Sequence, residues 1–209
     1  IINSTGFYKT PFMPDYVSTA SVEELAQIML EDIAKGAKVI GEIGTSKNEW
    51  TNDEHKVFEA TVIAQKKTNV VIITHTTLGT LIREQVDFFL GNGINPKKVI
   101  ISHVALSNDL DAIRYALQKG FNVAFDTIGK TKYLPDETRV QFMKTLIQEG
   151  YMHQLLMSMD ITRQSHLKKN GVGYAYLLDT FIPMLEQAGI SEATITTITS
   201  KNFTEILEA

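Results

Sequence analysis

The chain has 209 residues, of which 44% are hydrophobic, and its formal charge at neutral pH is -4. This length supports one substantial core, so we expect a single domain over residues 1–209. No basic run could follow a phosphate backbone and no apolar stretch approaches the roughly 18 residues of a membrane span, which excludes nucleic acid and membranes as expected partners. The absence of cysteine excludes disulfides and thiolate sites, so any metal must use His, Asp, Glu or a modified Lys. We expect a soluble protein of the cytoplasm.

Apolar runs alternate with helix-length segments along the chain, at intervals of about thirty residues. Ser21 with Glu24 and Thr51 with Glu54 have the spacing of capping boxes, which predicts two helix starts. The predicted strands are 1–8, 38–43, 70–75, 98–103, 122–126 and 154–160. The predicted helices are 20–35, 51–67, 80–90, 108–119, 135–149, 174–187, 191–200 and 203–208.

Strands that alternate with helices predict an α/β fold with a parallel sheet. We expect a (β/α)8 TIM barrel, which needs eight strands, whereas this chain supplies about six. The sequence therefore predicts strands 3 to 8 of a barrel, with two βα units preceding Ile1 in the natural protein. An open doubly wound sheet is the alternative, which ranks second because no glycine-rich phosphate loop follows any strand.

Five of the apolar runs end in a residue that can bind a metal ion or carry a proton: Glu42, His75, His103, Asp126 and Asp160. In a barrel, the carboxyl ends of the strands face one mouth, where active sites lie. His75 and His103 could each present a neutral nitrogen to zinc, or they could be buried structural histidines. Asp160 could bind a metal and accept a proton from water, or it could cap the next turn.

The remaining candidates also have two interpretations each. Glu42 could bridge two cations in a dinuclear site, or it could pair with Lys47 or cap the turn. Asp126 could orient a ligand histidine, or it could cap its strand. Lys130 and Arg163 follow strand-end carboxylates and could hold an anionic group of a substrate, or they could be solvated loop charges.

Short segments around these residues resemble the phosphotriesterase-related family, in particular the phosphotriesterase-homology branch of the amidohydrolase superfamily. The resemblance covers nearly the whole chain in order. The segments are IGEIGTS at 40–46, THT at 74–76, ISH at 101–103, FDTIGK at 125–130 and SMDITR at 158–163.

This resemblance implies a (β/α)8 barrel with two divalent metal ions, for which zinc is the usual metal. By motif, His75 and His103 would bind the more exposed ion, Asp160 the more buried one, and Glu42 would bridge them in place of a carboxylated lysine. Tyr8, in the segment TGFY at 5–8, resembles a tyrosine that related lactonases place near the substrate carbonyl. The His-x-His pair that the family carries on its first strand has no counterpart in this chain.

The leading hypothesis is therefore a metal-dependent hydrolase in which a metal-bridging hydroxide attacks an ester-like centre and Asp160 accepts the proton. We favour a small-molecule lactone, and more narrowly a phosphorylated sugar lactone, because Lys130 and Arg163 could hold a phosphate. Tyr8 would address the ring oxygen. The alternatives are hydrolysis of phosphotriesters or other esters, and a catalytically silent barrel that only binds its ligand. The oligomeric assembly that we consider is a homodimer.

Overall fold

A computed structural model describes residues 1–208 of the chain. Its strands are β1 (Ser4–Thr5), β2 (Val39–Thr45), β3 (Val71–Thr76), β4 (Val99–Ser102), β5 (Asn122–Phe125) and β6 (Leu155–Met157). Its α-helices are α1 (Val22–Ala34), α2 (Asn52–Thr68), α3 (Ile82–Gly91), α4 (Leu110–Gln118), α5 (Asp136–Gln148), α6 (Ile182–Gln187), α7 (Glu192–Thr196) and α8 (Asn202–Glu208). One π-helical turn, Leu177–Phe181, leads into α6, and a second, Thr197–Lys201, joins α7 to α8.

The six strands form one sheet in the order β1-β2-β3-β4-β5-β6, and every neighbouring pair is parallel. Each strand is followed by at least one helix before the next strand begins. This sequential order is the topology of a β/α barrel. A doubly wound sheet would reverse its strand order at a switch point, so the alternative architecture is wrong.

The two capping boxes are confirmed. The Ser21 hydroxyl accepts a hydrogen bond from the Glu24 amide at 3.1 Å, and the Glu24 carboxylate accepts one from the Ser21 amide at 2.8 Å. Thr51 and Glu54 exchange the same pair of bonds at the start of α2. Helix starts are therefore determined locally, by four consecutive residues.

Four predicted strands were too long: those predicted at 98–103 and 122–126 end one residue earlier, at Ser102 and Phe125, and two others are much shorter than predicted. The strand predicted at 1–8 contains only Ser4–Thr5, because Gly6 has a φ of 131° and leaves the extended conformation. The strand predicted at 154–160 ends at Met157. Asp160 has a φ of 45°, in the left-handed region, which cannot continue a β ladder. Asp160 thus lies in the loop after β6 rather than at the end of the strand.

The sheet separates two layers of apolar side chains, because successive residues of a strand point to opposite faces. One face packs against the helices and forms the larger core. The other face contributes one residue from each of β2 to β6, and these residues pack against Ile206 of α8: Val39, Val71, Ile100, Ala124 and Leu156. Helix α8 therefore covers part of the inner face of the sheet.

Polar contacts fix α8 at the amino ends of the strands. The Asn202 side-chain amide donates to the carbonyl oxygens of Met152 and Leu155, at 2.8 and 2.7 Å. The buried Lys98 ammonium donates to the carbonyl oxygen of Ile206 at 3.3 Å. At the opposite end of the sheet, the carboxyl ends of the strands lead into long loops. Within residues 1–208, no helix is both long enough and apolar enough to cross a membrane.

Candidate active site

A cavity of about 860 Å³ lies at the carboxyl ends of the strands. Its walls come from Glu42 of β2, from His75 of β3 and from the segments that follow β1, β3, β4, β5 and β6, which is where the parallel topology directs them. Seven of the residues singled out in the sequence line it: Tyr8, Glu42, His75, His103, Lys130, Asp160 and Arg163.

Three of the four predicted metal ligands form a tight cluster. Glu42, His75 and His103 each offer a ligand atom, and these atoms all lie within 4.8 Å of one another. Glu42 Oε2 faces His75 Nδ1 at 3.6 Å, and Glu42 Oε1 faces His103 Nε2 at 3.4 Å. Asp160 lines the same cavity outside this cluster, where it makes a close ion pair with Lys130. Its role as a metal ligand stays a prediction.

A β-bulge aims Glu42 at the cavity. Ile40 pairs with Ile72 and Ile43 pairs with Thr74, so β2 carries one extra residue in this interval. Such an insertion bends the strand and redirects a side chain. A glycine is required at position 41, since a Cβ there would collide with the carbonyl oxygen of Ile73.

Asp126 fixes the orientation of His103. The carboxylate of Asp126 accepts the His103 main-chain N–H at 3.0 Å and the Nδ1–H of the imidazole at 2.9 Å. Nε2 is thereby turned towards Glu42. His103 adopts a left-handed backbone, with a φ of 62°. Of the two interpretations of Asp126, this geometry favours the one in which it orients a histidine.

The electrostatics of His103 and Glu42 depend on each other. Burial disfavours the imidazolium, but the charges and hydrogen bonds of Asp126 and Glu42 outweigh it and raise the pKa of His103 to about 10. Burial likewise opposes ionisation of Glu42, yet the neighbouring imidazoles of His103 and His75 lower its pKa to about 2. Without a bound cation, the cluster therefore contains a carboxylate and one charged imidazole at neutral pH.

His75 is held as a neutral imidazole. Burial is the largest influence on its pKa and lowers it. The Thr77 hydroxyl donates to the Thr45 carbonyl oxygen at 2.7 Å, so its oxygen is free to accept from His75 Nε2 at 3.1 Å. Nδ1 then carries a lone pair, and the Tyr8 hydroxyl lies 3.1 Å from it.

The donor set of this cluster fits a divalent cation. The Nδ1 lone pair of His75 and the Oε2 atom of Glu42 face each other as two acceptors, with no proton of their own to share between them. Imidazole nitrogen and carboxylate oxygen are the ligand types that zinc takes in the absence of cysteine. A cation between them satisfies both acceptors.

Two buried residues that the sequence did not single out for the site also shape it. The Gln85 side chain of α3 donates to the Thr45 hydroxyl at 2.9 Å and to the carbonyl oxygen of His75 at 3.0 Å. Glu54 accepts from the Thr10 amide at 3.2 Å, in addition to its bonds within the capping box. It thereby ties the segment after Tyr8 to α2. The capping-box spacing predicted the local role of Glu54, but it did not predict the hydrogen bond from the Thr10 amide.

Comparison with known proteins places the chain in a family. The model of the phosphotriesterase family matches residues 1–207. The phosphotriesterase homology protein of Escherichia coli is 41% identical over 210 residues, covering 97% of this chain and 72% of that protein. A crystal structure of that protein with phosphate in its active site superposes with a TM-score of 0.95, over 99% of this chain and 74% of that one. A phospho-furanose lactonase of Mycoplasmopsis synoviae is 29% identical, over 99% of this chain and 66% of that protein.

The structural likeness confirms the predicted α/β fold as part of a (β/α)8 barrel, of which residues 1–208 form six strands. The prediction that two further βα units precede Ile1 stays a prediction. The chain belongs to the phosphotriesterase family, whose members are metal-dependent hydrolases that act on small-molecule substrates.

Proposed function

We propose that this protein is a zinc-dependent lactonase that hydrolyses phosphorylated sugar lactones. The observation that carries the proposal is that two cations, Lys130 and Arg163, line the same cavity as the cluster of Glu42, His75 and His103. A phosphorylated lactone presents an electrophilic carbonyl and an anionic group, which match these two features. The name of the lactonase from Mycoplasmopsis synoviae and the phosphate in the active site of the protein from Escherichia coli support this substrate class.

Glu42, His75 and His103 would hold a divalent metal, and Asp160 would supply a further carboxylate for a second ion. When bound, the metal supplies Lewis-acid polarisation of the scissile carbonyl and activation of a water nucleophile at neutral pH. Asp126 keeps the His103 ring in the orientation that directs Nε2 to the cavity. An imidazole fixed in this way needs little reorganisation to become a ligand.

Tyr8 is placed to donate a hydrogen bond to the substrate. Burial raises the pKa of its phenol, and the negative charges of Glu42 and Asp160 raise it further, while the charge of Arg163 opposes them. The phenol therefore keeps its proton at neutral pH. Such a donor, next to His75 at the cavity wall, could stabilise negative charge that develops on a lactone oxygen.

Asp160 is the proposed proton acceptor. Its carboxylate lies at the cavity wall and pairs with Lys130. A proton that leaves the attacking water can pass to this carboxylate and then to the leaving alkoxide of the opened ring. Lys130 contacts Asp160 and also lines the cavity, so one cation touches both the proton acceptor and the space where we place the phosphate.

Arg163→Met tests the substrate class. Losing a charge-assisted contact to phosphate should cost roughly 1.5 to 3 kcal/mol, or about ten- to a hundredfold in kcat/KM for phosphorylated lactones. Neutral lactones should be hydrolysed as before. Lys168→Met is the matched control, because Lys168 is an exposed cation of the same loop. Equal losses on both substrate types would refute the phosphate assignment, and faster turnover of neutral triesters would put phosphotriester hydrolysis first.

A further inference from the structure

A buried ion pair lies beneath the loop that carries Lys130. Arg139 of α5 is 0% exposed and Asp136 is 2% exposed, and the Arg139 guanidinium donates to the Asp136 carboxylate at 2.7 Å. Replacing a buried ion pair by apolar residues of similar volume is often neutral for stability or even favourable. A role in positioning the polar groups around it is therefore the first role to consider for this pair.

The ion pair holds the main chain on both sides of Lys130. The Asp136 carboxylate accepts the Gly129 N–H at 3.1 Å. The Arg139 guanidinium donates to the carbonyl oxygen of Lys130 at 3.3 Å and also contacts the carbonyl oxygen of Leu134. The peptide group between Ile128 and Gly129 and the one after Lys130 are thus bonded to the same pair of side chains, which fixes the main chain from which the ammonium enters the cavity.

Tyr176 connects a second loop at the cavity, the segment after β6, to this ion pair. Its hydroxyl donates to the Asp136 carboxylate at 3.0 Å, and its ring lies over Gly129. A Cβ at Gly129 would be only 3.2 Å from the ring, and Val172 approaches the same point to 3.0 Å. The segment after β6, which contains Arg163 and Val172, therefore meets the Lys130 loop at Tyr176.

We propose that Asp136, Arg139 and Tyr176 are positioning residues that set the affinity of the cavity for an anionic group by fixing Lys130. None of the three lines the cavity, so they act through the Lys130 loop. The inference rests on the proposed function, in which Lys130 contacts a phosphate. A main chain fixed on both sides of Lys130 reduces the conformational freedom that the side chain loses on binding the anion.

Tyr176→Phe tests the inference, because it removes one hydroxyl and keeps the ring. Inorganic phosphate is titrated into the metal-loaded protein by calorimetry, and we expect its Kd to rise about three- to tenfold. Amide exchange of residues 127–135 should become faster. Tyr115→Phe is the matched control, since Tyr115 donates to the Asp87 carboxylate between two outer helices. That control should change neither quantity, and the unfolding midpoints of both variants should stay close to that of the parent protein.

The variant Lys130→Met distinguishes a failure of this inference from a failure of the proposed function. If Lys130→Met weakens phosphate binding while Tyr176→Phe does not, the positioning role is overturned and the proposed function stands. If Tyr176→Phe only speeds amide exchange, the contact serves stability and the inference is likewise overturned. If Lys130→Met leaves the Kd for phosphate unchanged, the anion-binding part of the proposed function fails and the inference fails with it.

Discussion

Binding of a divalent metal at the cluster of Glu42, His75 and His103 should release one proton near pH 7.5. The pKa of His103 is raised to about 10, so its imidazole is charged in the metal-free protein and must lose a proton to bind a metal. Glu42, with a pKa of about 2, is already ionised. His75, whose pKa is lowered by burial, is already neutral. Among the three ligand side chains, His103 is thus the single source of a proton.

The magnitude follows from the pKa of His103. At pH 7.5, deprotonation of a group with a pKa of about 10 costs roughly 3 kcal/mol, at about 1.4 kcal/mol per pH unit. This cost falls as the pH rises towards 10. The apparent affinity for zinc should therefore increase about tenfold per pH unit between roughly pH 7 and 9, and it should level off above pH 10.

The assay is calorimetric titration of zinc into the metal-free protein in two buffers that differ in ionisation enthalpy. The difference between the observed enthalpies gives the number of protons released per ion. His153→Gln, which removes an exposed histidine, should still release one proton, whereas His103→Asn should release none at the cluster. Zero release by the parent protein at pH 7.5 would show that His103 is neutral before binding and would refute the reasoning.

Three further substitutions test buried contacts. Gln85→Met should lower the affinity for zinc about tenfold in a chelator competition, because it frees the carbonyl oxygen of His75 from the side chain that holds it; an unchanged affinity would contradict this. Glu54→Gln should lower the free energy of unfolding by about 1 to 3 kcal/mol in a urea titration, since one acceptor that now faces N–H donors becomes a donor itself. Asn202→Ala should lower the same free energy by about 1 to 3 kcal/mol, because it leaves the carbonyl oxygen of Leu155 without its donor.

Features that depend on neighbouring residues could be predicted from the sequence. Helix α2 was predicted at 51–67 and spans Asn52–Thr68, because a capping box and a run of helical periodicity lie within the segment itself. The gathering of Glu42, His75 and His103 at one mouth could also be predicted, since a parallel β/α topology brings all carboxyl strand ends together.

Features that depend on contacts between distant segments could not be predicted. The bulge at Glu42 arises from the register between β2 and β3, which no local pattern specifies. The bond from His103 to Asp126 spans 23 residues, so the sequence left two roles open for Asp126. Asp160 was placed on a strand because its neighbours are apolar, whereas its left-handed backbone is decided by the loop that packs around it.

His103 and Asp160 both have a left-handed backbone. At these two positions, the residue type that would be best for stability differs from the one that the proposed chemistry uses. A residue with a Cβ is generally disfavoured in this conformation by roughly 1 to 2 kcal/mol, aspartate and histidine less than most, while glycine adopts it freely. Selection for thermal stability alone would consequently favour glycine at both positions and would remove two side chains of the proposed site. Any programme of directed evolution on this protein should therefore screen metal retention together with heat resistance, because a screen for heat resistance alone would enrich inactive variants.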